Sequence, residues 1–359
     1  MLVVGGGLVG LAVAWELLNH GLAVELIDPE LERATPAESG SVAALGVLMA
    51  QVFHRSSGRG WRLRQQSHRL WQQWLNTLQA RGHRLNRRDG LLLLAATPEE
   101  LGHQALLVAQ RQQQGISLLS RDRTWLRQQY PALPAAALGG LHSPDDGQLD
   151  PQAVLQALWS EARAAGLRTC RDTVTALERC GSDWQLHCRS GACPRASWLV
   201  ISAGLASAGL LAGLGHQLPM EPVLGQALEL ELAETPPWEQ GQRPWPGAVV
   251  WRGINLVPRP DLPGGRRLWL GATLEPGDRP SATALAHLRS WGAAELPWLE
   301  RGQVVRQWQG LRCRPVGRPA PVLEQLEPGL LLVSGHYRNG VLLAPASAAW
   351  ARDQILAGR

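Results

Sequence analysis

Apolar positions change their period several times along this chain, and the first change comes within ten residues. Leu2, Val3 and Val4 make a short apolar strand that runs into the glycine-rich segment 5–10. The following apolar run, Leu11 to Leu18, predicts a helix ended by Gly21. A second short strand is predicted over 23–27, closing on Asp28. Between 54 and 88, Leu63, Leu70, Trp71, Trp74, Leu75 and Leu78 recur at helical spacing among Arg and Gln, which predicts an amphipathic helix. Leu91 to Leu94 read as a buried strand, and 99–115 and 151–165 as helices. The second of these opens on Asp150 and Pro151, a capping residue followed by proline at the first helical position.

Farther on, 172–178 and 184–188 predict a hairpin across Cys180 to Ser182, and Trp198 to Ile201 a strand entering the small turn Ser202-Ala203-Gly204. Short stretches broken by prolines, 226–232, 249–258 and 267–273, read as an antiparallel sheet. A helix over 281–293 and a strand over 304–311 lead to residues 333–345, read as strand, polar turn and helix start. The expected fold class is α/β: a Rossmann-like dinucleotide-binding domain interleaved with an α+β lobe built on an antiparallel sheet. The segments at the start, near 200 and near 335 must converge. The expected division gives residues 1–50, 140–220 and 301–359 to the cofactor domain, and 51–139 and 221–300 to the substrate domain.

Composition narrows the class without changing that outline. The chain has 359 residues, 45% hydrophobic and 18% charged, as in soluble globular proteins. No apolar run reaches the roughly 18 residues of a membrane helix. Residues 1–18 are interrupted by glycines and Glu16 and lack a basic leader, so the chain reads as cytoplasmic. The net charge is +5 and all 35 basic residues are Arg, which excludes lysine Schiff-base chemistry. Five cysteines form no C-x-x-C pair and no zinc spacing, so free thiols and no metal are expected. The arginine-rich helix over 54–88 reads as a solvated face rather than a nucleic-acid surface, because no aromatic residues interleave on its polar side. Sixteen Trp against one Phe has no explanation at this level.

Two motifs carry chemistry. Gly5, Gly7 and Gly10 fit G-x-G-x-x-G between a strand and a helix, and Asp28 ends the next strand, 18 residues beyond Gly10. Glycines in that setting allow close approach of a pyrophosphate, and the acid holds ribose hydroxyls. The motif by itself fits FAD or NAD. At the other end, the turn from His336 to Gly340 is polar between apolar flanks, with no visible structural need for its polar centre. Its amides, at a helix N-terminus, suit an anionic or electron-rich group.

These motifs, with segment 39–50, the Asp145–Pro151 run, the Ser202-Ala203-Gly204 turn, LVPR near 256, LGAT near 270, WQGLR at 308–312 and GHYRNGVLLAP at 335–345, resemble the FAD-dependent D-amino-acid oxidase superfamily, and within it the glycine oxidases that feed thiamine thiazole synthesis. The resemblance covers nearly the whole chain. It implies that Leu8, Val9, Asp28, Pro29, Ser41, Gly46, Val47 and Val174 contact a non-covalent FAD. The stretch His336, Tyr337, Arg338, Asn339, Gly340, Val341 and Leu342 would wrap the flavin ring. Gly204 ends a strand-to-small-residue turn that reads equally as a further cofactor approach and as an ordinary buried strand ending in glycine. Arg312 would pair with a substrate carboxylate and Arg338 would lie on the substrate side. The implied partners are a small amino acid or amine and O2, and a homo-oligomer is within the family's range. Where the family has tyrosine and histidine before V-P-R, this chain has Asn255 and Gly253. Cys313 lies one residue off the register used for covalent flavin, and strand alternation aims it to the opposite face. An acceptor other than oxygen, such as a quinone or carrier, and a flavin-binding protein without catalysis are the alternatives.

Overall fold

A computed structural model describes residues 1–31, 39–237, 239 and 245–358. The chain begins with β1 (Leu2–Val4), α1 (Leu8–Asn19), β2 (Glu25–Ile27), β3 (Val47–Leu48), α2 (Gly58–Ala80), β4 (Arg88–Ala95) and α3 (Pro98–Gln113). It continues through β5 (Leu119–Asp122), α4 (Arg123–Gln129), β6 (Gly139–Gln148), α5 (Pro151–Ala164), β7 (Arg168–Cys170), β8 (Val174–Cys180), β9 (Asp183–Cys188), β10 (Arg195–Ala196) and β11 (Leu199–Ile201). Next come α6 (Ala206–Ala212), β12 (Met220–Glu231), β13 (Ala248–Trp251), β14 (Ile254–Arg259), β15 (Arg267–Gly271), β16 (Glu275–Pro276) and α7 (Ala282–Glu295). The last elements are β17 (Gln303–Pro315), β18 (Val322–Glu327), β19 (Leu330–Ser334) and α8 (Gly340–Ala357).

Six strands form a sheet in the order β18-β19-β11-β1-β2-β7, parallel except for β18. Strand alternation divides its side chains between two cores. Val3, Leu26, Val200 and Leu331 pack with apolar residues of α1, α2, α5 and α8. Leu2, Val4, Leu199 and Leu330 face the three-stranded sheet of β8, β9 and β10, where Trp184 and Leu186 are fully buried. The segments expected to converge do so: β1, β11 and β19 are neighbours. Tryptophan fills core positions that phenylalanine often takes, as in the edge-to-face pairs of Trp74 with Trp15 and with Trp71, 4.8 and 5.7 Å between centroids.

Ten strands form the second sheet, with β16-β12-β15-β14-β13-β4-β6-β3 in line, β17 paired to β12 and β5 to β6. Two strands differ in placement from the sequence reading. Both β6 and β17 fall in segments expected with the cofactor domain, yet both pair with this larger sheet. Apolar runs alone do not say which sheet a strand joins. The single strand expected over 249–258 is a hairpin, β13 with β14. Arg252 and Gly253 form its two-residue turn with φ of 48° and 80°, the double left-handed conformation that matches strand twist. Gly253 therefore serves the turn.

Helix α8 contains Pro345, which removes a backbone donor and frees a carbonyl one turn back. The freed positions are satisfied from α2. The Trp71 indole N–H donates to the Val341 and Leu342 carbonyls at 3.1 and 3.0 Å. The Ser67 hydroxyl donates to Leu342 O at 2.6 Å and accepts from Ala346 N at 3.2 Å. This contact fixes α2 against the first turns of α8. No helix among the described residues is long and apolar enough to cross a membrane.

Candidate active site

A cavity of about 1580 Å³ is lined from both large sheets, and it exceeds the roughly 300–1,000 Å³ of an ordinary small-molecule site. The C-terminal ends of β1, β2, β11 and β19 border it through Gly5, Asp28, Ser202 and Ser334, which is where open parallel sheets place ligands.

At one end lies the glycine-rich turn. Helix α1 has Gly7 as N-cap and no side-chain cap, and Leu8 N donates to Ser41 Oγ at 2.9 Å. Asp28 is aimed by two amides at 2.7 Å: Gly6 N to Oδ2 and Glu30 N to Oδ1. Gly5, Gly7, Leu8, Val9, Asp28, Pro29, Ser41, Gly46, Val47, Val174 and Gly204 all border the cavity. Gly10 does not. A Cβ there would lie 1.9 Å from Gly5 O, so its role is to let the helix pack on its own loop.

At the other end is the 336–340 turn. Tyr337 adopts φ 53° and donates its amide to Cys313 O at 3.1 Å, while Asn339 N donates to His336 O. Helix α8 has no side-chain cap, and Gly340 and Val341 border the cavity with Tyr337, Arg338 and Asn339. The polar centre does have a structural use. His336 is buried, its Nε2 lies 2.8 Å from Ser347 Oγ, and burial lowers its pKa to about 4, so the ring is neutral. Leu342 faces the core rather than the cavity. Cys313, expected on the opposite face, also borders the cavity. Its thiol meets Ser334 and the Gly335 amide, and burial raises its pKa, keeping it protonated.

Arg312, on β17, is largely desolvated, and burial followed by the nearby Arg338 cation lowers its pKa. Its Nη1 donates to Leu224 O and Thr273 O at 3.0 and 3.1 Å. Among the described residues no carboxylate pairs with it, which leaves the Nη2 edge of the fork available. Gly225 makes the room: a Cβ there would lie 2.1 Å from Arg312 Nη2. Arg338 is exposed at the cavity border. Asn255, on β14, borders the cavity, donates from Nδ2 to Gly271 O at 3.0 Å, and has a buried Oδ1 without a partner.

The sequence reading missed the loop before α2. Val52, Phe53 and His54 border the cavity beyond the segment 39–50 that was singled out, and Arg64 on α2 borders it too. Buried Asp146 accepts from the amides of Ala50, Gln51 and Val52, and buried Arg111 donates to the carbonyls of Gln51, Phe53 and Arg55. Burial raises the Asp146 pKa against those amide bonds. Arg64 turns inward from a helix read as a solvated face.

The model of the family described as DAO, FAD dependent oxidoreductase, matches residues 1–354. The glycine oxidase of Geobacillus kaustophilus is 29% identical over 365 residues, covering 98% of this chain and 92% of that protein. The bifunctional protein ThiO/ThiG of Nostoc sp. is 29% identical over 364 residues, and the alignment covers 99% of this chain but only 52% of that protein. A crystal structure of the Geobacillus kaustophilus glycine oxidase superposes with a TM-score of 0.88 at 27% identity, covering 99% of this chain and 94% of that one. With nearly its whole length matched and a cavity framed by the glycine-rich turn at the start of α1 and by the N-terminus of α8, the chain belongs to the FAD-dependent oxidoreductase family described as DAO and is an FAD-dependent oxidoreductase of the glycine-oxidase type.

Proposed function

We propose that this protein oxidises a small amino acid or amine to its imine, with O2 as the final acceptor and peroxide as a product. FAD, when bound, supplies the hydride acceptor. In this reading the six-stranded sheet and its helices hold the cofactor, and the ten-stranded sheet shapes the substrate side. Asp28 holds ribose hydroxyls, the α1 N-terminus the pyrophosphate, and the uncapped N-terminus of α8 the electron-rich edge of the flavin ring. Arg338 adds positive charge at that edge.

The observation that carries the proposal is Arg312. A desolvated guanidinium, anchored through Nη1 and free along its other edge, is set to bind a carboxylate in angle as well as distance. Asn255 Oδ1 is an acceptor, so it takes an amine N–H where a tyrosine hydroxyl would donate to the carboxylate. Orientation of a neutral amine is the main demand on the protein in hydride transfer.

Anaerobic mixing of the FAD-loaded protein with glycine, sarcosine and D-alanine tests the reading. Bleaching of the flavin absorbance by at least one of them, with peroxide on admitting air, is the expected result. An unchanged spectrum with all three and with the dicarboxylic D-aspartate defeats it.

A further inference from the structure

A second arginine, this one buried, borders the same cavity from a different element. Arg64, near the start of α2, is 6% exposed. Its Nη1 donates to Gly60 O in its own helix at 3.1 Å, its Nε is buried without a partner, and its guanidinium carbon lies 3.7 Å from the centroid of the Phe53 ring. Among the described residues no carboxylate pairs with it. The titratable neighbour it acts on is His54, whose pKa is lowered by partial desolvation and by the cations of Arg55 and Arg64. Burial lowers the Arg64 pKa to about 10, which leaves it charged at neutral pH. A buried cation without a counter-ion is costly, and an anion from the cavity offsets that cost.

The surroundings are pre-arranged. The Asp146 and Arg111 hydrogen bonds fix the loop that carries Phe53 and His54. Position argues against the cofactor's phosphates as the missing anion. Ser67, three residues beyond Arg64 on α2, is bonded to the first turns of α8, after β19. The glycine-rich turn follows β1, two strands from β19 in the sheet order, or roughly 10 Å at the usual strand spacing.

We propose that Arg64, stacked on Phe53 beside His54, is a second anion subsite of the cavity, and that the substrate is an amino acid carrying a second carboxylate besides the one held by Arg312. As a statement about substrate this rests on the oxidase reading above; as a statement about binding it does not.

Titration of the FAD-loaded protein with succinate and with propionate, followed by perturbation of the flavin spectrum and by calorimetry, separates the two. Succinate is expected to bind at least tenfold more tightly than propionate. Arg64→Met loses that preference and Arg64→Lys keeps part of it, with FAD affinity unchanged in both. Equal affinity of the wild type for the two acids overturns the proposal, as does a preference that survives Arg64→Met. A tenfold loss of FAD affinity in Arg64→Met without a succinate preference in the wild type assigns Arg64 to the cofactor's phosphates and also overturns it. If Arg64→Met does not fold, the wild type and Arg64→Lys still decide. A flavin that no amine reduces, together with an Arg64-dependent succinate preference, removes the oxidase reading and leaves the subsite. With an active enzyme, Arg64→Met raises KM for D-aspartate tenfold relative to D-alanine; a parallel change for both removes the substrate assignment.

Discussion

Arg312 owes its position to a residue that carries no chemistry. Gly225 lies on the neighbouring strand, and the guanidinium occupies the space where its side chain would be. Gly225→Ala is expected to push Arg312 off the Leu224 and Thr273 carbonyls while leaving the fold and FAD content intact, because a side-chain end can move where backbone cannot. A hydrogen bond to a charged group is worth about 1.5–3 kcal/mol, so KM for the amino acid should rise roughly 10- to 100-fold. Steady-state kinetics beside a flavin absorbance measurement checks both halves. Arg312 was legible in the sequence because it sits in a GLR motif. Gly225 was not, since a glycine inside a strand does not announce what fills the space beside it. Asn255 was legible only as a departure from a family pattern. Its unpaired acceptor, which changes the chemistry it can offer a substrate, required the Gly271 carbonyl to be in place.

Helix α8 shows the same division one level up. Its start after a polar turn was readable from residues 333–345. How it tolerates Pro345 was not, because the compensating hydroxyl and indole come from Ser67 and Trp71 on α2, more than two hundred residues away in sequence. His336 ties the turn to the body of the helix through Ser347 and is kept neutral by burial. Its folded pKa, about 4, lies below the ordinary histidine value of 6.5. The unfolded chain therefore takes up a proton that the folded chain refuses as pH falls from 6.5 to 4. Stability is intact above pH 6.5 and declines toward pH 4, by as much as about 3 kcal/mol from this group. Urea midpoints of the apoprotein at pH 7, 5.5 and 4.5 should fall more steeply for the wild type than for His336→Gln. Parallel declines would show that the ring is not the buried neutral group described.

At the scale of the whole molecule, the cavity takes one wall from the six-stranded sheet and another from the ten-stranded sheet, so a ligand that fills it ties the two together. FAD at a hundred times its dissociation constant should add about 2.7 kcal/mol to stability. Thermal melts should move upward with FAD and stay unmoved with NAD. A shift with NAD alone would mean that the glycine-rich turn and Asp28 serve a nicotinamide cofactor. By itself the sequence determined the short strands, the helices, the glycine-rich turn with Asp28 and the polar turn before α8, because these depend on period and spacing over a few residues. Only the tertiary structure decided that β6 and β17 join the larger sheet, that 248–259 folds back on itself, that Leu342 and Gly10 turn away from the cavity, and that Arg64 turns into it. Each of those outcomes depends on partners far along the chain, and packing rather than local preference selects among the arrangements that the local pattern permits.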